Sequence, residues 1–527
     1  MNVKELLAKA IREAAEHALT GTASADQFPE VMLEVPPQKE FGDFASNFAM
    51  QLARAAKTTP RAIAEKIVER LNTRAKLDKH DPSALAWLAE AKLAGPGFIN
   101  FYLKPDWLYE LLREILAAGE EYGRTTTGGG EKVQVEFVSA NPTGPLHVGH
   151  GRGAAFGSAL SNLLRTAGYE VSNEYYINDA GNQIDNLAAS VDARYRELLG
   201  QTVEFPEDGY HGRDIIDTAQ RIVDGHGDKY LAMAPEERLS TFKELALQEK
   251  LAALREDLAA FGVNFDVWYS ERTLHESGAI DATCERLKAS GHMYEKDGAL
   301  WLKSADYGDD KDRVVIRDNG VPTYLAADIA YHRDKFERGF DRVINIWGAD
   351  HHGYISRVKA AVEALGYDPD RLEVLILQMV SLYQGGELVK MSKRTGQGVT
   401  LVELIEEVGK DAARFFFIMR SIDSQLDFDL DLAKSHTNEN PVFYIQYAHA
   451  RISSIFRQVA EAGITVPDVK DMPFGTLTTS YEVDLIKKLG EYPDEVAKAA
   501  RERAPHHIAR YAHEVAGLFH TFYNQCR

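Results

Sequence analysis

Cysteine is almost absent from the 527 residues, and no apolar run is long enough to cross a membrane. The two cysteines, Cys284 and Cys526, are far apart and lack the spacing of metal ligands. We therefore expect reduced thiols, no structural zinc and a cytoplasmic protein. The start of the chain, residues 3–13, reads as an amphipathic helix interrupted by charges rather than a secretory signal. The length suggests about three domains.

Basic residues are also scarce, since 60 Lys and Arg face 80 Asp and Glu and leave a net charge of −20. Such a balance argues at first against a nucleic-acid partner, because polyanion binding needs basic surface. The negative charge is unevenly distributed. The net charge is only −2 over residues 1–124 and −3 over residues 411–527, so the middle of the chain carries −15. Both ends leave room for basic patches, and an acidic middle is compatible with a cationic small substrate.

Residues 133–153 contain the densest pattern. Apolar residues alternate with polar ones over 133–138, as in a strand that faces a core, and Pro142 and Pro145 exclude regular structure from the connection that follows. From about His150 the apolar residues recur every three or four positions until Gly168. The pattern predicts a strand, a turn and one amphipathic helix.

The predicted helix begins among glycines and histidines. Gly149, Gly151 and Gly153 leave the helix start without side chains, so its free N–H groups and positive dipole end are open to an anion. His147 and His150 flank this start. Together they predict a cradle for phosphates whose charge changes during a reaction.

Two other interpretations fit the same residues. Gly149-x-Gly151-x-x-Ala154, with an acid about twenty residues later, satisfies a loose dinucleotide fingerprint. In that fingerprint the strand runs straight into the first glycine, whereas residues 139–148 intervene here, so we reject it. The second is a glycine-rich helix start with purely structural histidines, and only the rest of the chain decides against it.

A second motif, Lys390-Met391-Ser392-Lys393, follows about 240 residues later. The ordered pair of H-x-G-H at a helix start and K-M-S-K resembles the class I aminoacyl-tRNA synthetases. The sequence segments around the motifs, at residues 139–145, 176–181 and 347–353, resemble those of the arginyl-tRNA synthetase family. The resemblance covers essentially the whole chain.

This resemblance implies a multidomain α/β fold with a Rossmann-like parallel sheet in the catalytic domain. Residues 1–124 resemble the family's α+β N-terminal domain, which touches the elbow of the tRNA, and their sequence predicts helices at 3–19 and roughly 43–72. Residues 131–410 are expected to form the catalytic domain, with an insertion at about 190–312. Residues 411–527 are expected to form an all-α anticodon-binding bundle. Family members usually continue past a segment like residues 522–527 for a few more helical turns.

For the chemistry, the resemblance implies a ligase that activates L-arginine with ATP and Mg²⁺ and then transfers the arginyl group to the terminal adenosine of tRNA(Arg). No enzyme nucleophile is needed, because such a displacement depends on positioning and charge stabilisation. The implied catalytic and ATP-binding residues are His147, Gly149, His150, Gly151, Lys390, Met391, Ser392 and Lys393. The resemblance also implies attack by the ribose 2′-hydroxyl and an activation step that needs bound tRNA.

A guanidinium substrate must be met by carboxylates. By resemblance, the residues expected to bind arginine are Glu136, Ser139, Asn141, Tyr324 and Asp328. Spacing adds that Tyr324 and Asp328, four apart, share one face of a helix. Asp350-His351-His352 suggests a metal site, but neighbouring helical residues point in different directions, so we expect no protein-bound metal.

The last segment is expected to be helical, with its longest helix over roughly 441–462. Tyr444, Tyr447 and Arg451 fall on one face of that helix and, by resemblance, are expected to stack on bases of the tRNA. Such spacing alone more often marks a core face. We expect a monomer without membrane association. Two rivals remain at this point: a class I synthetase for another amino acid, and a non-catalytic RNA-binding relative.

Overall fold

The computed structural model describes residues 3–78, 80–81, 85–390 and 398–526. The N-terminal elements are α1 (Val3–Ala18), β1 (Phe44–Ser46), α2 (Phe48–Ala56), α3 (Pro60–Ala75), β2 (Leu88–Ala94), β3 (Phe98–Leu103) and α4 (Asp106–Ala118). The strands form an antiparallel sheet in the order β1-β3-β2. The sequence indicated a single helix over roughly 43–72, but there are two. Lys57 turns left-handed (φ 49°), and the Thr59 side chain caps a new helix at Pro60.

The middle of the chain builds a parallel sheet with helical connections. Its elements are β4 (Lys132–Glu136), α5 (Val148–Thr166), β5 (Glu170–Ile177), α6 (Asn182–Leu198), α7 (Arg213–His226), α8 (Pro235–Ala260), β6 (Val267–Ser270), α9 (Glu271–Glu276), α10 (Ala279–Ala289), β7 (Met293–Lys296), β8 (Ala299–Leu302), β9 (Arg313–Ile316), α11 (Tyr324–Glu337), β10 (Arg342–Gly348), α12 (Ile355–Ala364), β11 (Leu372–Leu377), β12 (Val380–Gln384) and β13 (Glu387–Val389). The main sheet has the order β6-β5-β4-β10-β11, and every neighbouring pair is parallel. The strand order reverses between β4 and β10, where such sheets bind ligands.

The structure differs from the expected insertion at about 190–312 in one respect. β6 lies inside that span and yet forms one edge of the main sheet, beside β5. The expected insertion is therefore not continuous. Helices α7 and α8 precede β6, and a separate antiparallel sheet, β7-β8-β9, follows it. β6 has only four residues, all of them half-buried, so its sequence signal for a strand of the main sheet is weak.

The C-terminal segment is mostly helical. Its elements are α13 (Leu401–Val408), α14 (Lys410–Ile418), β14 (Leu426–Asp429), α15 (Leu430–Lys434), α16 (Pro441–Glu461), α17 (Ser480–Gly490), α18 (Tyr492–Arg501) and α19 (His506–Gln525). The long helix expected over 441–462 is thus present as α16. β12 pairs with β13 antiparallel and with β14 parallel. None of the helices in the described ranges is long and apolar enough to cross a membrane.

The chain divides into two compact units. One contains residues 1–122, 456–491 and 518–527, and the other contains residues 123–455 and 492–517. The helices that close the chain therefore contribute to both units. The domain boundaries inferred from sequence remain predictions.

At its β11 edge, the main sheet is fastened to the segment after α18. Glu373, on β11, accepts two hydrogen bonds from the Arg503 guanidinium, both at 2.9 Å, and a third from Arg342 at 2.7 Å. The two guanidinium groups hold the pKa of the Glu373 carboxyl below its usual range against the effect of burial. The ion pairs connect β10, β11 and the start of the last helices within one unit.

Helix α5 packs against the sheet so closely that one of its glycines is required. A Cβ at Gly157 would lie 2.2 Å from the ring of Phe137, which is 1% exposed in the residue after β4. A Cβ at Gly153, one turn earlier, would meet only Leu377 Cδ2 at 3.5 Å, an ordinary contact. Gly157 therefore sets the distance between α5 and the end of β4.

Replacing Gly157 with Ala is expected to lower the free energy of unfolding by about 1–3 kcal/mol, because the core cannot move away from the added methyl group. Gly153→Ala is the matched control: it gains helix propensity of up to about 1 kcal/mol and should be neutral or stabilising. Chemical denaturation of both variants measures the difference. Equal stability of the two would contradict the close packing of α5 on Phe137.

Candidate active site

The start of α5 is capped by two imidazoles. His147 is the N-cap residue, and its Nδ1 accepts a hydrogen bond from the Gly149 backbone N–H at 3.1 Å. His150 Nδ1 accepts one from the His147 backbone N–H at 3.3 Å, which completes a capping box. The two rings stack with centroids 3.6 Å apart. The sequence motif thus fixes both rings through the helix cap itself.

Both imidazoles are neutral at physiological pH. Burial lowers the pKa of His147, and burial together with the neighbouring His147 lowers the pKa of His150 to about 4. Since each Nδ1 accepts a backbone N–H, the ring proton is assigned to Nε2. The helix start therefore offers two imidazole N–H donors without net charge, which suits hydrogen bonding to an anion.

The glycines of this motif have different surroundings. Gly149 lies beside the His147 ring, where a Cβ would be 3.0 Å from Cε1. Gly151 is buried, and a Cβ there would lie 2.8 Å from Leu401 Cδ1. The missing side chain at Gly151 thus makes room for α13, which packs against the helix start.

The segment that carries the second motif is joined to the first. Lys390 follows β13 directly, whereas Met391, Ser392 and Lys393 lie outside the described residues. After them, the Val399 carbonyl accepts a hydrogen bond from Val148 N–H at 3.3 Å, and Thr400 forms an isolated bridge with His147. The chain that follows the lysine motif is therefore paired with the residues that carry the histidine motif.

Strained backbone follows β4. Val138 and Ser139 have φ values of 67° and 41°. The left-handed region is uncommon for non-glycine residues, particularly a β-branched one, and costs of order 1–3 kcal/mol. The turn directs Ser139 Oγ to donate to Glu136 Oε1 at 3.1 Å and to accept from the Tyr176 backbone N–H at 3.0 Å. Asn141, two residues later, accepts a hydrogen bond from Asn178 at 2.9 Å.

Three carboxylates surround the ring of Tyr176. They are Glu136 at the end of β4, Glu271 at the start of α9 and Asp328 on α11, and their charges and burial all raise the pKa of the Tyr176 hydroxyl. That hydroxyl donates a hydrogen bond to Glu271, and the Tyr354 hydroxyl donates one to Asp328 at 2.7 Å. We call Glu136, Glu271 and Asp328 the acidic pocket. Its charge suits a cation.

The carboxylates of this pocket are not all ionised near neutral pH. Burial raises the pKa of Asp328 to about 7, and the charges of Glu136 and Glu271 act in the same direction against the Tyr354 hydrogen bond and Lys335. Burial also raises the pKa of Glu271. A cation that enters the pocket therefore favours the ionised forms.

Tyr324, expected beside Asp328, is the first residue of α11 and is 70% exposed, one turn before the carboxylate. The two share a helix as the spacing indicated.

Asp350, His351 and His352 lie in a 3₁₀ turn after β10 and are exposed. Within the described ranges, no group of three His, Cys, Asp or Glu side chains is arranged to hold a metal ion.

On α16 the predicted aromatic face differs in one member. The Arg451 guanidinium lies 4.4 Å from the centroid of the Tyr447 ring, and Phe443 stacks on the other side of Tyr447 at 5.8 Å. Tyr444 instead turns towards α19, with its ring 5.1 Å from that of His513. Phe443, Tyr447 and Arg451 therefore form a stacked row along α16, in which Tyr447 is exposed and the other two are half-buried.

Three family models match successive parts of the chain: an arginyl-tRNA synthetase N-terminal domain at 1–103, the class I (R) synthetase catalytic domain at 111–421, and the DALR anticodon-binding domain at 445–527. The arginine–tRNA ligase of Carboxydothermus hydrogenoformans is 56% identical over 521 residues, which is 99% of this chain and 91% of the relative. The chain belongs to the arginyl-tRNA synthetases.

Other relatives agree. The arginine–tRNA ligase of Heliobacterium modesticaldum is 55% identical over 536 residues and is covered to 93%. A Campylobacter jejuni structure assigned to the arginyl-tRNA synthetases is 39% identical, has a TM-score of 0.74 and covers 80% of this chain and 92% of its own. The Thermus thermophilus arginyl-tRNA synthetase, 24% identical with a TM-score of 0.70, shows the same fold over 98% of this chain and 92% of its own.

The expected fold class and family are thereby confirmed: a class I catalytic domain with a parallel sheet, an additional N-terminal domain and a helical C-terminal domain. The activity is that of arginyl-tRNA synthetases, which activate L-arginine with ATP and transfer the arginyl group to tRNA(Arg). ATP, arginine and tRNA(Arg) are accordingly its substrates.

Sequence reasoning missed Glu271, the third carboxylate of the acidic pocket in this synthetase. The residue directly follows β6, and carboxyl ends of parallel strands meet at one edge of the sheet. Because β6 was assigned to the insertion, its end was not considered as part of the site. A signal was present in Tyr269-Ser270-Glu271, where a polar and an acidic residue end a short apolar run.

In this synthetase, the His150 imidazole is expected to titrate with a midpoint near pH 4, because protonation would place a charge in a buried position beside His147. A ¹H–¹⁵N histidine spectrum followed over pH measures the midpoint and the tautomer, and His150→Gln assigns the resonance. A midpoint near 6.5, or a proton on Nδ1, would contradict the capping arrangement.

Proposed function

We propose that both reaction steps of this arginyl-tRNA synthetase take place at the C-terminal edge of β4, between the capped start of α5 and the acidic pocket. The observation that carries the proposal is their adjacency. Glu136 ends the strand, and the connection to α5 contains Ser139 and Asn141 before it reaches His147. A cationic side chain in the acidic pocket leaves its carboxylate end within reach of phosphates at the helix start.

In the first step, a carboxylate oxygen of arginine attacks the α-phosphorus of ATP, the bond to the bridging oxygen breaks, and pyrophosphate leaves. His147 and His150 donate hydrogen bonds from Nε2 to phosphate oxygens, and the α5 dipole adds to the stabilisation. We assign Lys390 and Lys393 to the charge of the departing pyrophosphate, and Gly149, Gly151, Met391 and Ser392 to the walls of the ATP site.

Mg²⁺ is inferred to arrive with ATP, because the described residues contain no cluster of three His, Cys, Asp or Glu suited to hold it. Bound to the phosphates, it would supply further charge neutralisation at the leaving group. The residues present fit this arrangement. Two neutral imidazoles can donate hydrogen bonds to phosphate oxygens, and Mg²⁺ keeps the oxygen ligands that it prefers.

The guanidinium is assigned to Asp328 and Glu271, with Glu136 completing the negative charge of the pocket. Tyr324, exposed at the start of α11, is assigned to the wall that closes over the substrate. Ser139 and Asn141 are assigned to the α-amino and carboxylate end, because the strained turn after β4 fixes both beside the strand end.

In the second step, the 2′-hydroxyl of the terminal adenosine attacks the arginyl carbonyl, and AMP leaves. We assign the stacked rings and guanidinium on α16 to tRNA, because an aromatic ring stacked on a cation also offers a platform for unpaired bases. Tyr444 is included because it is next to Phe443 in sequence, although its own ring turns towards α19.

Residues 1–124, 131–410 and 411–527 are proposed as elbow-binding, catalytic and anticodon-binding domains of a cytoplasmic monomer without structural zinc.

Exchange of labelled pyrophosphate into ATP tests the assignment across all twenty amino acids. Exchange is expected with arginine alone, because the acidic pocket selects a cation of guanidinium geometry. It is also expected to require tRNA. Exchange with another amino acid would contradict the arginine pocket while keeping the fold, and no exchange under any condition would favour an RNA-binding role.

The KM for arginine is expected to rise about tenfold as the pH falls from 8 to 6, since a carboxyl with a pKa of about 7 takes up a proton that the guanidinium must displace. Below that pKa the negative charge of Asp328, which attracts the guanidinium, is lost, and above it that charge is fully present. Asp328→Asn should raise the KM at every pH and remove its pH dependence, with little change in the KM for ATP. A pH-dependent KM in Asp328→Asn would exclude Asp328 as the titrating group.

A further inference from the structure

Two glutamates lie side by side at the end of β4: Glu136 is the last residue of that strand, and Glu174 lies next to it on β5, three residues before β5 ends. Glu136 and Glu174 are register partners on these parallel strands. Neighbouring carboxylates in a poorly hydrated position repel one another unless each has a cation. Helix α11 and the residue after it supply both: Lys335 Nζ lies 2.5 Å from Glu136 Oε2, and the Arg338 guanidinium holds Glu174 at 2.7 and 2.9 Å.

The two pairs have different surroundings. Glu174 is fully buried, and the Tyr331 hydroxyl completes its set of partners at 2.5 Å, so this carboxylate is closed off. Glu136 belongs to the acidic pocket, and its Oε1 accepts a hydrogen bond from Ser139, which is assigned to the arginine site. Lys335 therefore touches a substrate-facing carboxylate, whereas Arg338 touches an enclosed one.

Lys335 is held in place from every side. It is 0% exposed, its Nζ also donates to Asn345 Oδ1 at 2.9 Å, and it lies 4.3 Å from the centroid of the Tyr331 ring. Asn345 Nδ2 in turn donates to His332 Nε2 at 2.9 Å, and His332 Nδ1 donates to the Asp328 carbonyl at 2.7 Å. This chain of donors joins the buried ammonium to the backbone of the residue that carries the pocket's third carboxylate.

The charged groups that face Asp328 come from several elements. Glu136, Glu271 and the hydroxyls of Tyr176 and Tyr354 lie on other elements, while His332 and Lys335 lie on α11 itself. Burial and Lys335 lower the pKa of His332 to about 3, so that ring adds no charge. Arg357 interacts with the Tyr354 hydroxyl. The cations of α10 and β9 are paired elsewhere, Arg286 with Glu337 and Arg313 with Asp309.

We propose that Lys335 is a positioning residue of the arginine pocket: its buried ammonium fixes Glu136 and supplies the positive charge that favours an ionised Asp328 when the guanidinium arrives. The inference rests on the proposed function. Lys335 does not touch the substrate. It acts through Glu136, whose Oε2 it occupies, and so leaves Asp328 and Glu271 as the guanidinium's own partners.

The test is the KM for arginine between pH 6 and 9, measured by pyrophosphate exchange with tRNA present. In Lys335→Met the midpoint of the pH dependence is expected to move up by about one unit, because a cation that favours the ionised pocket has been removed. At pH 7 the KM for arginine should then rise about fivefold and approach the wild-type value at pH 9, with the KM for ATP unchanged within about twofold. Lys335→Arg, which retains the charge, should keep the wild-type midpoint.

Arg338→Met is the matched control, since it removes the neighbouring cation from the enclosed Glu174. It is expected to lower stability but to leave the pH midpoint of arginine binding in place. Equal and pH-independent rises in both KM values for Lys335→Met, or the same midpoint shift in Arg338→Met, would overturn the proposal.

If Lys335→Met does not fold, Lys335→Met with Glu136→Gln replaces it, because this pair of changes leaves no unpaired buried charge. Removal of one negative and one positive neighbour should return the midpoint to that of the wild type, and a midpoint still raised by about one unit would overturn the proposal. Wild-type protein without arginine-dependent exchange would refute the proposed function itself, which separates the two outcomes.

Discussion

Electrostatic repulsion among carboxylates is the constraint on which the catalytic edge of the sheet depends. Glu136 ends β4 beside its register partner Glu174 on β5, and Glu271 directly follows β6. A site for a cation requires this concentration of negative charge, and an empty site must tolerate it. Helix α11 resolves the conflict, because it carries Asp328 into the pocket and places Lys335 behind it, with Arg338 immediately after its last turn.

The phosphate side of the site uses a different principle. His147 and His150 are neutral, and their Nδ1 atoms are engaged in capping α5, so they present hydrogen-bond donors rather than charges. Uncharged donors and a helix dipole stabilise a developing negative charge without attracting the carboxylates of the acidic pocket. In the proposed reaction, full negative charges would thus bind the cation at one end of the site, and neutral donors would begin the phosphate binding at the other.

Much of this arrangement could be predicted from the sequence, because it depends on local patterns. The alternation over 133–138, the prolines of the turn and the glycines before α5 each determine conformation within a few residues. Helix α16 was equally visible from Pro441 and the apolar period after it. The break between α2 and α3 was missed although Thr59 and Pro60 signal it, since the amphipathic period continues across the break.

Other features could not be predicted because they arise from contacts between distant segments. The join between Lys335 and Glu136 spans 199 positions, and no spacing rule selects one lysine among 60 basic residues. The assignment of Glu271 required knowledge that β6 joins the main sheet. The orientation of Tyr444 towards α19 depends on where the last helix packs, which the period of α16 alone does not contain.

The ion pairs of Glu373 have a consequence for the tendency of the protein to aggregate. β11 is the outer strand of the main sheet, and its sequence from Leu372 to Leu377 is apolar apart from Glu373. A six-residue apolar edge strand is the kind of segment that pairs with other chains and nucleates aggregates. Glu373 interrupts that run with a charge, and Arg503 ties the strand to the following helices. The same carboxylate that fastens the sheet edge therefore also acts as a gatekeeper against intermolecular strand pairing.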